Sequence, residues 1–348
     1  MDRIAIQPDS FRHRNGERQS FSDRWTELAA RRGIEVRRVD VYAPDFIEQL
    51  AGCDGFMWRF GFPPRPRLFA KRLLPAIEQG LGIPVFPSSR AAWHFEDKIA
   101  QHYLLQAAGI PTPRTWIFWT PARALEFCRQ ASYPLVLKLA TGFQSANVQM
   151  LRNARAATSR VHQLFGPGVT SLSGSRTRMA LHRLRAIARL ISGRQLAGGT
   201  QPEERQIGYV FLQEFLPGNE FDTRVTVISD RAFAFRRFNR PNDFRASGSG
   251  RIDWDPAQIA LDAVRLAFQV ARRLQTECIA VDVLRRGEEY VINEISYTFA
   301  SWAVRDCPGH WVLNEGPGTG RLRWIEGQMA PEDAIFDDFI AKLPSRGA

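Results

Sequence analysis

Short apolar runs alternate with amphipathic stretches over residues 1–89. This pattern predicts strands at 3–8, 34–42, 55–61 and 83–87, and helices at 20–32 and 66–82. Such alternation favours a small parallel sheet covered by helices. Residues 7–11, which follow the first strand, lack the glycine fingerprint of dinucleotide-binding folds, so an independent dinucleotide site is not expected there.

The middle of the chain combines helical patterns with one apolar strand that contains a lysine. The spacing predicts a single helix over 91–108 that carries Lys98 in its second turn, and a buried strand over 134–139 that contains Lys138. A lysine in an apolar strand has to find an anion. The small, polar loop at 140–148 could close over phosphates with its N–H groups, although it lacks the Gly-Lys-Ser/Thr of a Walker A loop. Further elements are predicted as follows: strands at 115–119 and 209–216, and a short helix at 122–131.

Strand patterns dominate again after residue 216. A hairpin is predicted over 220–228 and 232–238, and it carries more charge than a core ladder needs: Asp222, Arg224, Arg236 and Arg237. A glycine- and serine-rich loop at 242–251, which contains Arg245, suits an oxyanion. An amphipathic helix is expected over 256–274, and the chain beyond residue 299 is expected to be rich in loops up to a last helix near 331–343.

Two carboxylates stand at core positions of a second hairpin, over 278–296. With a three- or five-residue connection, Asp282, Glu294 and Ser296 share one face, whereas a two-residue connection presents Asn293 instead. Adjacent buried carboxylates repel unless a cation or proton lies between them. Their hard oxygen atoms suit Mg²⁺ together with nucleotide phosphates. The alternative is a solvated hairpin whose acidic side chains face water.

Composition indicates an ordinary soluble protein, with 44% hydrophobic and 24% charged residues. Because no signal peptide or membrane-length apolar run is present, a cytoplasmic location is expected. The four cysteines form no Cys-x-x-Cys pair, so neither a zinc site nor a disulfide framework is predicted.

The net charge of +11 is unevenly distributed. The segment from Phe127 to Pro202 contains eleven cations and no Asp or Glu. Such a segment attracts polyanions, although a basic solvated surface is the plainer explanation. Residues 177–192 are predicted to form a basic amphipathic helix that packs on its domain, and peripheral contact with an anionic surface is the alternative.

The order of these motifs resembles the ATP-grasp superfamily, and most closely its branch of glutathione synthetase and the ligases that add glutamate to ribosomal protein. The resemblance runs from about residue 88 to 296, with a looser match over the N-terminal part. It rests on the following segments: 97–98 with 109–113, 134–138, 141–148, 213–216, 222–224 with 236–237, 244–251, and 281–282 with 293–296.

The resemblance implies an α/β protein whose C-terminal part is α+β. An N-terminal parallel α/β domain (1–89) would precede an ATP-grasp fold that holds a nucleotide between two α+β subdomains. The first of these would comprise the opening helix and the lid with its basic insertion (90–213). The second would carry the metal hairpin (214–348).

The resemblance also implies ATP-dependent joining of a carboxylate to an amine through an acyl phosphate. The cofactors would be ATP and Mg²⁺, with Mn²⁺ as the alternative. The implied nucleotide-binding residues are Lys98, Lys138, Gln144, Ser145, Glu214, Leu216 and Glu220. The implied metal ligands are Asp282, Glu294 and Ser296, and the implied catalytic residues are Arg224, Arg237 and Arg245.

Two departures from the family pattern leave a second hypothesis open. Ser296 replaces the usual asparagine ligand, and the phosphate loop has few glycines. A nucleotide-binding scaffold or sensor without ligase chemistry is therefore the alternative. The expected partners are a small carboxylate and an amine, and the basic segment would suit an acidic sugar or peptide acceptor. Specific nucleic-acid binding is not expected, because no known motif supports it; a homodimer is compatible with the sequence.

Overall fold

The computed structural model describes residues 2–9, 11–12, 18–142, 147–170, 204–246, 248–314 and 321–343. The predicted helix at 177–192 and most of the basic segment lie outside the described residues. The strands are β1 Arg3–Ile6, β2 Phe11–Arg12, β3 Arg18–Gln19, β4 Glu35–Arg38, β5 Gly55–Met57, β6 Val85–Phe86, β7 Thr115–Phe118, β8 Leu135–Lys138, β9 Val148–Leu151, β10 Val169–Thr170, β11 Arg205–Gln206, β12 Val210–Glu214, β13 Phe221–Ile228, β14 Arg231–Phe238, β15 Ile252–Asp253, β16 Cys278–Arg286, β17 Glu289–Ser296, β18 Gly309–Asn314 and β19 Arg321–Glu326. The helices are α1 Phe21–Arg31, α2 Phe46–Gln49, α3 Pro64–Ala76, α4 Ser89–Ala92, α5 Lys98–Ala107, α6 Pro121–Gln130, α7 Ala154–Phe165, α8 Leu261–Leu274, α9 Ser301–Arg305 and α10 Pro331–Ala341. A π-helical turn, Ile77–Leu81, extends α3, and a 3-10 turn covers Pro256–Gln258.

The N-terminal sheet is parallel and has the strand order β4-β1-β5-β6. It shares one hydrophobic core with the C-terminal part of the chain, since Ile4, Trp25 and Met57 pack in the same cluster as Phe233 and Phe336. Trp25 is fully buried, and its indole N–H donates to the Glu332 carbonyl at 3.2 Å. The alternation of strands and helices over residues 1–89 therefore produces the expected small parallel sheet.

The second sheet, which we call the lid sheet, is antiparallel and has the order β7-β12-β8-β9. Helices α6 and α7 cover one face of it and form a separate core with its strands, which includes Cys128, Leu137, Leu164 and Val210. Lys138 is the last residue of β8, so the strand ends on a cation.

The largest sheet is antiparallel and runs β17-β16-β13-β14-β18-β19, with β15 paired to β14. Helix α8 packs its apolar stripe, including Val264 and Phe268, against this sheet. Together, the parallel N-terminal sheet and the two antiparallel sheets that follow it confirm the predicted α/β class with an α+β C-terminal part. The proposed boundaries after residues 89 and 213 stay a prediction.

Two predictions of local structure were wrong. The expected helix over 91–108 is divided into α4 and α5, because Glu96 has a left-handed φ of 56° and Asp97 starts α5 as its N-cap. The Asp97 side chain accepts from the Ala100 N–H at 3.0 Å, which is typical of a helix start. The region after residue 299 contains α9, β18 and β19, because β18 pairs with β14, far away along the chain, and β19 pairs in turn with β18.

No helix in the described part of the chain is long and apolar enough to cross a lipid bilayer.

Candidate active site

One cavity of about 590 Å³ is lined by strands of the lid sheet and of the largest sheet, by the loops near them, and by Phe21, Arg59 and Phe62 of the N-terminal part. It gathers most of the predicted site residues: Lys98, Lys138, Glu214, Leu216, Arg224, Arg237, Arg245, Asp282, Glu294 and Ser296. Glu220 is exposed and is not among the residues that line the cavity. Gln144 and Ser145 lie outside the described residues.

The two carboxylates of the second hairpin face each other because of a β-bulge. The connection between β16 and β17 has two residues, with Arg286 paired to Glu289, which is the case predicted to present Asn293. A register shift between Asp282 and Val283 leaves Asn293 without a partner on β16 and pairs Asp282 with Glu294. Asp282, Asn293 and Glu294 therefore all line the cavity.

Two arginines bind the Asp282 carboxylate. Arg224, directly opposite on β13, donates from Nε and Nη2 to the two Asp282 oxygens at 2.7 and 2.8 Å. Arg237 Nη2 lies 2.7 Å from the same carboxylate and also binds Asp222, its own neighbour across β13 and β14. Burial would raise the pKa of Asp282, but the two guanidinium groups outweigh it and hold this pKa well below its usual range. Asp282 is thus an ion throughout the physiological range.

Both lysines point at the carboxylate hairpin. Lys138 Nζ donates to the Asn293 amide oxygen at 2.8 Å, and Lys98 Nζ lies 3.3 Å from Glu294 Oε1. The Lys98 N–H also donates to the Ala140 carbonyl, just beyond β8, at 2.9 Å, which joins the start of α5 to the lid sheet. The division of the predicted helix at Asp97 is what brings Lys98 to this point.

The two lysines differ in acidity. Burial lowers the pKa of Lys138 to about 8, although Glu294 opposes the shift. Burial also acts to lower the pKa of Lys98, but the charges of Glu294 and Glu96 overcome it and raise this pKa. Both side chains are cations at neutral pH, but Lys138 loses its proton at a lower pH than Lys98 does.

The carboxylates fit a hard divalent cation in part. No group of three or more Asp, Glu, His or Cys side chains arranged for a metal occurs in the described ranges. A carboxylate has about four acceptor positions, and the arginines take three of those on Asp282. The Glu294 side chain is 30% exposed and has positions left for a cation. Ser296 Oγ donates to the Thr298 carbonyl at 2.6 Å and so has only acceptor capacity left. This set suits Mg²⁺, which takes few protein ligands and keeps waters.

Further predicted residues occupy the remaining walls of the cavity. Glu214 ends β12 and is bound by Arg114, whose N–H and Nε each donate to it at 2.7 Å. Burial acts to raise the pKa of Glu214, but the hydrogen bonds and charge of Arg114 lower it. Leu216 follows in the chain segment that joins the lid sheet to the largest sheet. Arg245 donates from Nε and Nη2 to Asp243 at 2.6 to 2.9 Å, which holds its loop against the cavity.

Two buried residues beside the candidate site were missed by sequence reasoning. Glu96 is buried beside Lys98, and burial raises its pKa to about 7, with Lys98 opposing and Glu294 adding to the shift. Gln101 is buried on α5, and its amide donates to the Ile295 carbonyl at 2.8 Å, which ties the lysine-bearing helix to the carboxylate strand. The sequence signal that could have identified Gln101 is a polar residue at a core position of a helix.

Comparisons with known proteins give similar architectures and little sequence identity. No family model matches the chain. The alpha-aminoadipate–LysW ligase LysX of Saccharolobus solfataricus is 35% identical over 66 residues, which cover 19% of this chain and 24% of that protein. The match therefore spans about a quarter of the length of that relative.

Three solved structures resemble the whole fold. The ATP-grasp ligase PsnB with its minimal precursor has a TM-score of 0.55 and 18% identity, with 98% of each chain covered. D-alanine–D-alanine ligase from Bacillus anthracis has a TM-score of 0.52 and 13% identity, over 85% of this chain and 87% of that one. N5-carboxyaminoimidazole ribonucleotide synthetase from Thermotoga maritima also has a TM-score of 0.52, with 15% identity over 85% of this chain and 68% of that one.

Proposed function

Because the chain has the ATP-grasp fold, we propose that it is an ATP-dependent ligase that joins a carboxylate to an amine. The observation that supports this most strongly is the single cavity in which Lys98 and Lys138 meet Asp282 and Glu294. Two buried ammonium groups beside paired carboxylates are suited to a polyphosphate and its divalent cation.

The nucleotide would lie between the lid sheet and the largest sheet. Lys138 and Lys98 would hold its α- and β-phosphates, and Gln144 and Ser145 are proposed as further phosphate contacts. Adenine would contact the segment with Glu214 and Leu216, mainly through its backbone. Glu220 is a weaker proposal for the ribose, because it lies at the surface and away from the cavity lining.

The proposed cation is Mg²⁺, with Mn²⁺ as the alternative. Glu294 and the remaining acceptor position of Asp282 would bind it, and Ser296 would add a hydroxyl oxygen or hold a water. When bound, the cation supplies neutralisation of the β- and γ-phosphate charge. The side chains of the chain itself provide the positioning.

The reaction would have two balanced steps. A substrate carboxylate oxygen attacks the γ-phosphorus, and ADP leaves to give an acyl phosphate. The amine then attacks the acyl carbon, inorganic phosphate leaves, and the amine releases a proton to give the amide. Arg224, Arg237 and Arg245 would stabilise the oxyanion of the second step, as preorganised donors do. A guanidinium has five N–H donors, so the pair with Asp282 uses only two of those on Arg224.

The proposed function is tested by ADP release over panels of amines and carboxylates with Mg²⁺–ATP. We expect one pair of substrates to stimulate release, and Glu294→Gln to reduce it at least 10²-fold, in line with the loss of a transition-state charge contact. Glu289→Gln is the matched control, because Glu289 lies on the same strand but is exposed and paired with Arg286. No stimulation by any pair would contradict ligase activity.

The second candidate is a nucleotide-binding scaffold or sensor. It is favoured by the arginines that occupy Asp282 and by the turn that engages the Ser296 hydroxyl, since both reduce metal-binding capacity. Calorimetry would support it if Mg²⁺–ATP bound tightly while no substrate pair released ADP.

The partners proposed for the ligase are a small carboxylate and an amine. The basic segment would suit an acidic sugar or peptide acceptor, or a peripheral contact with an anionic surface. Nucleic-acid binding through the +11 charge would be recognised by a steep fall of affinity with salt.

A further inference from the structure

The carboxyl end of β5 in the N-terminal sheet lies near the cavity, because Arg59, two residues beyond this strand, lines it. The strand order of this sheet is β4-β1-β5-β6. After β1 the chain forms β4 on one side of it and then crosses over to form β5 on the other side. The change of direction falls between β1 and β5. In open parallel sheets, ligands bind outside the carboxyl ends of the strands at such a switch point.

A buried ion pair lies beyond the carboxyl ends of these two strands. Asp9 follows β1 and Arg59 follows β5, and both side chains are 7% exposed. Their closest atoms, Arg59 Nη1 and Asp9 Oδ2, are 3.8 Å apart, which compensates charge but is longer than a hydrogen bond. The Asp9 carboxylate accepts instead from the Ser22 N–H at 2.8 Å and from the Ser20 hydroxyl at 3.0 Å. Asp9 is therefore held by the start of α1, while Arg59 lines the cavity.

Hydrogen bonds connect Arg59 to the end of the carboxylate hairpin. Arg59 Nε donates to the Thr298 hydroxyl at 3.1 Å, and Thr298 in turn exchanges hydrogen bonds with Ser296. Ser296 is the last residue of β17, two positions beyond Glu294. The guanidinium is thus fixed near the end of the hairpin that carries the proposed metal ligands.

Aromatic side chains surround this guanidinium. Arg59 lies over the ring of Phe21, 5.0 Å from its centroid, and Phe21 packs edge-on against Phe299. Phe62 lines the same cavity. A cation stacked on an aromatic ring and surrounded by apolar walls is suited to a ligand with one anionic group beside an apolar group.

We propose that Arg59 binds a substrate carboxylate, and that this substrate is an amino acid or a peptide end with an apolar side chain that lies against Phe21, Phe62 and Phe299. The inference rests on the proposed ligase function, for which it names the class of the second substrate. The carboxylate bound here is not the one that is phosphorylated. A planar guanidinium matches a carboxylate, and the nearby Asp9 charge favours a monoanion over a phosphate dianion.

The test compares acids with their neutral amides. Binding of L-phenylalanine, L-leucine and L-valine, and of the corresponding amino-acid amides, is measured by calorimetry with the protein saturated with Mg²⁺ and a non-hydrolysable ATP analogue. We expect at least one acid to bind, and its amide to bind roughly 10- to 100-fold more weakly, as for loss of a charge-assisted hydrogen bond. Arg59→Met should reduce binding of the acid to that of the amide, and Arg59→Lys should restore part of the difference.

The matched control is Arg65→Met. Arg65 also lies over an aromatic ring, that of Tyr42, at 4.8 Å, but it is exposed and does not line the cavity. This variant should keep the preference for the acid. Unchanged affinity for the ATP analogue will show that the Arg59 variants are folded, and the comparison of acid with amide on the unaltered protein needs no variant.

Three results would overturn the proposal: equal binding of acid and amide, no binding of any acid, or full preference for the acid in Arg59→Met. Measurement of ADP release distinguishes failure of the Arg59 proposal from failure of the proposed ligase function. A preference for acids without any ADP release would leave the Arg59 site standing while the ligase proposal fails. ADP release without such a preference would do the opposite.

Discussion

Lys138 is a buried cation whose pKa lies close to neutral pH. Burial lowers this pKa to about 8, and the ammonium has one neutral hydrogen-bond partner, Asn293, at 2.8 Å. The charge that would attract phosphates is therefore present below pH 8 and is lost as the pH rises through this value.

Nucleotide affinity is expected to fall above about pH 8 for this reason. Lys138→Arg should bind the nucleotide with an affinity that stays flat from about pH 7 to 9, because an arginine keeps its proton. Calorimetric titration of an ATP analogue across this range measures both curves. A parallel fall in the variant would show that another group is responsible.

Asp282 and Glu294 face each other but should respond differently to substitution. Asp282→Asn removes the carboxylate from the partly buried Arg224 and leaves the buried Arg237 with Asp222 alone, which we expect to cost roughly 3–5 kcal/mol of the free energy of unfolding. Glu294→Gln removes a partly exposed contact with Lys98 and should cost about 1 kcal/mol or less.

Urea unfolding of the two variants measures this difference. If only Asp282→Asn lowers the free energy of unfolding substantially, the Arg224–Asp282 pair stabilises the sheet in addition to its candidate catalytic role. Equal losses would mean that the arginines find other partners.

The start of α5 shows how one helix end serves the site. Asp97 caps this helix, and Lys98 is its first residue. Asp97→Ala should lower the free energy of unfolding by about 1 kcal/mol and also weaken nucleotide binding, because Lys98 loses its fixed position. Asn153→Ala removes the equivalent cap of α7, where the side chain accepts from the Ala156 N–H at 2.9 Å.

The two cap variants should therefore have similar stability but different nucleotide affinity, as measured by thermal unfolding and calorimetry. An equal affinity would show that Asp97 has no role beyond capping.

At the scale of the whole molecule, the lid sheet has its own core, whereas the N-terminal sheet shares a core with the largest sheet. Two units of stability are therefore expected. Trp25→Ala should destabilise the shared core by roughly 3–5 kcal/mol, and Leu164→Ala should destabilise the lid by roughly 2–5 kcal/mol.

Native-state hydrogen exchange distinguishes these effects. Leu164→Ala should increase exchange in β8 and β12 but not in β1 or β5, and Trp25→Ala should do so in β1 and β5. Uniform acceleration in both variants would indicate one cooperative unit.

The sequence by itself determined the order of the elements and most of the chemistry of the cavity. Apolar periodicity is a local property, so α1, α6 and α8 and the strand that contains Lys138 could be predicted from neighbouring residues. Charged residues at core positions, such as Lys138 and Asp282, identified the candidate site because burial of an unpaired charge is costly. The family resemblance supplied the fold, which the comparisons support.

Only the tertiary structure decided which side chains meet. The bulge at Asn293 sets the register of Asp282 and Glu294, and strand pairing brings Arg224 to Asp282, 58 residues away along the chain. The carboxyl edge of the N-terminal sheet brings Arg59 to Thr298, 239 residues away. Pairing between segments so far apart in the chain depends on the free energy of the whole sheet. It therefore cannot be predicted from any local stretch of sequence.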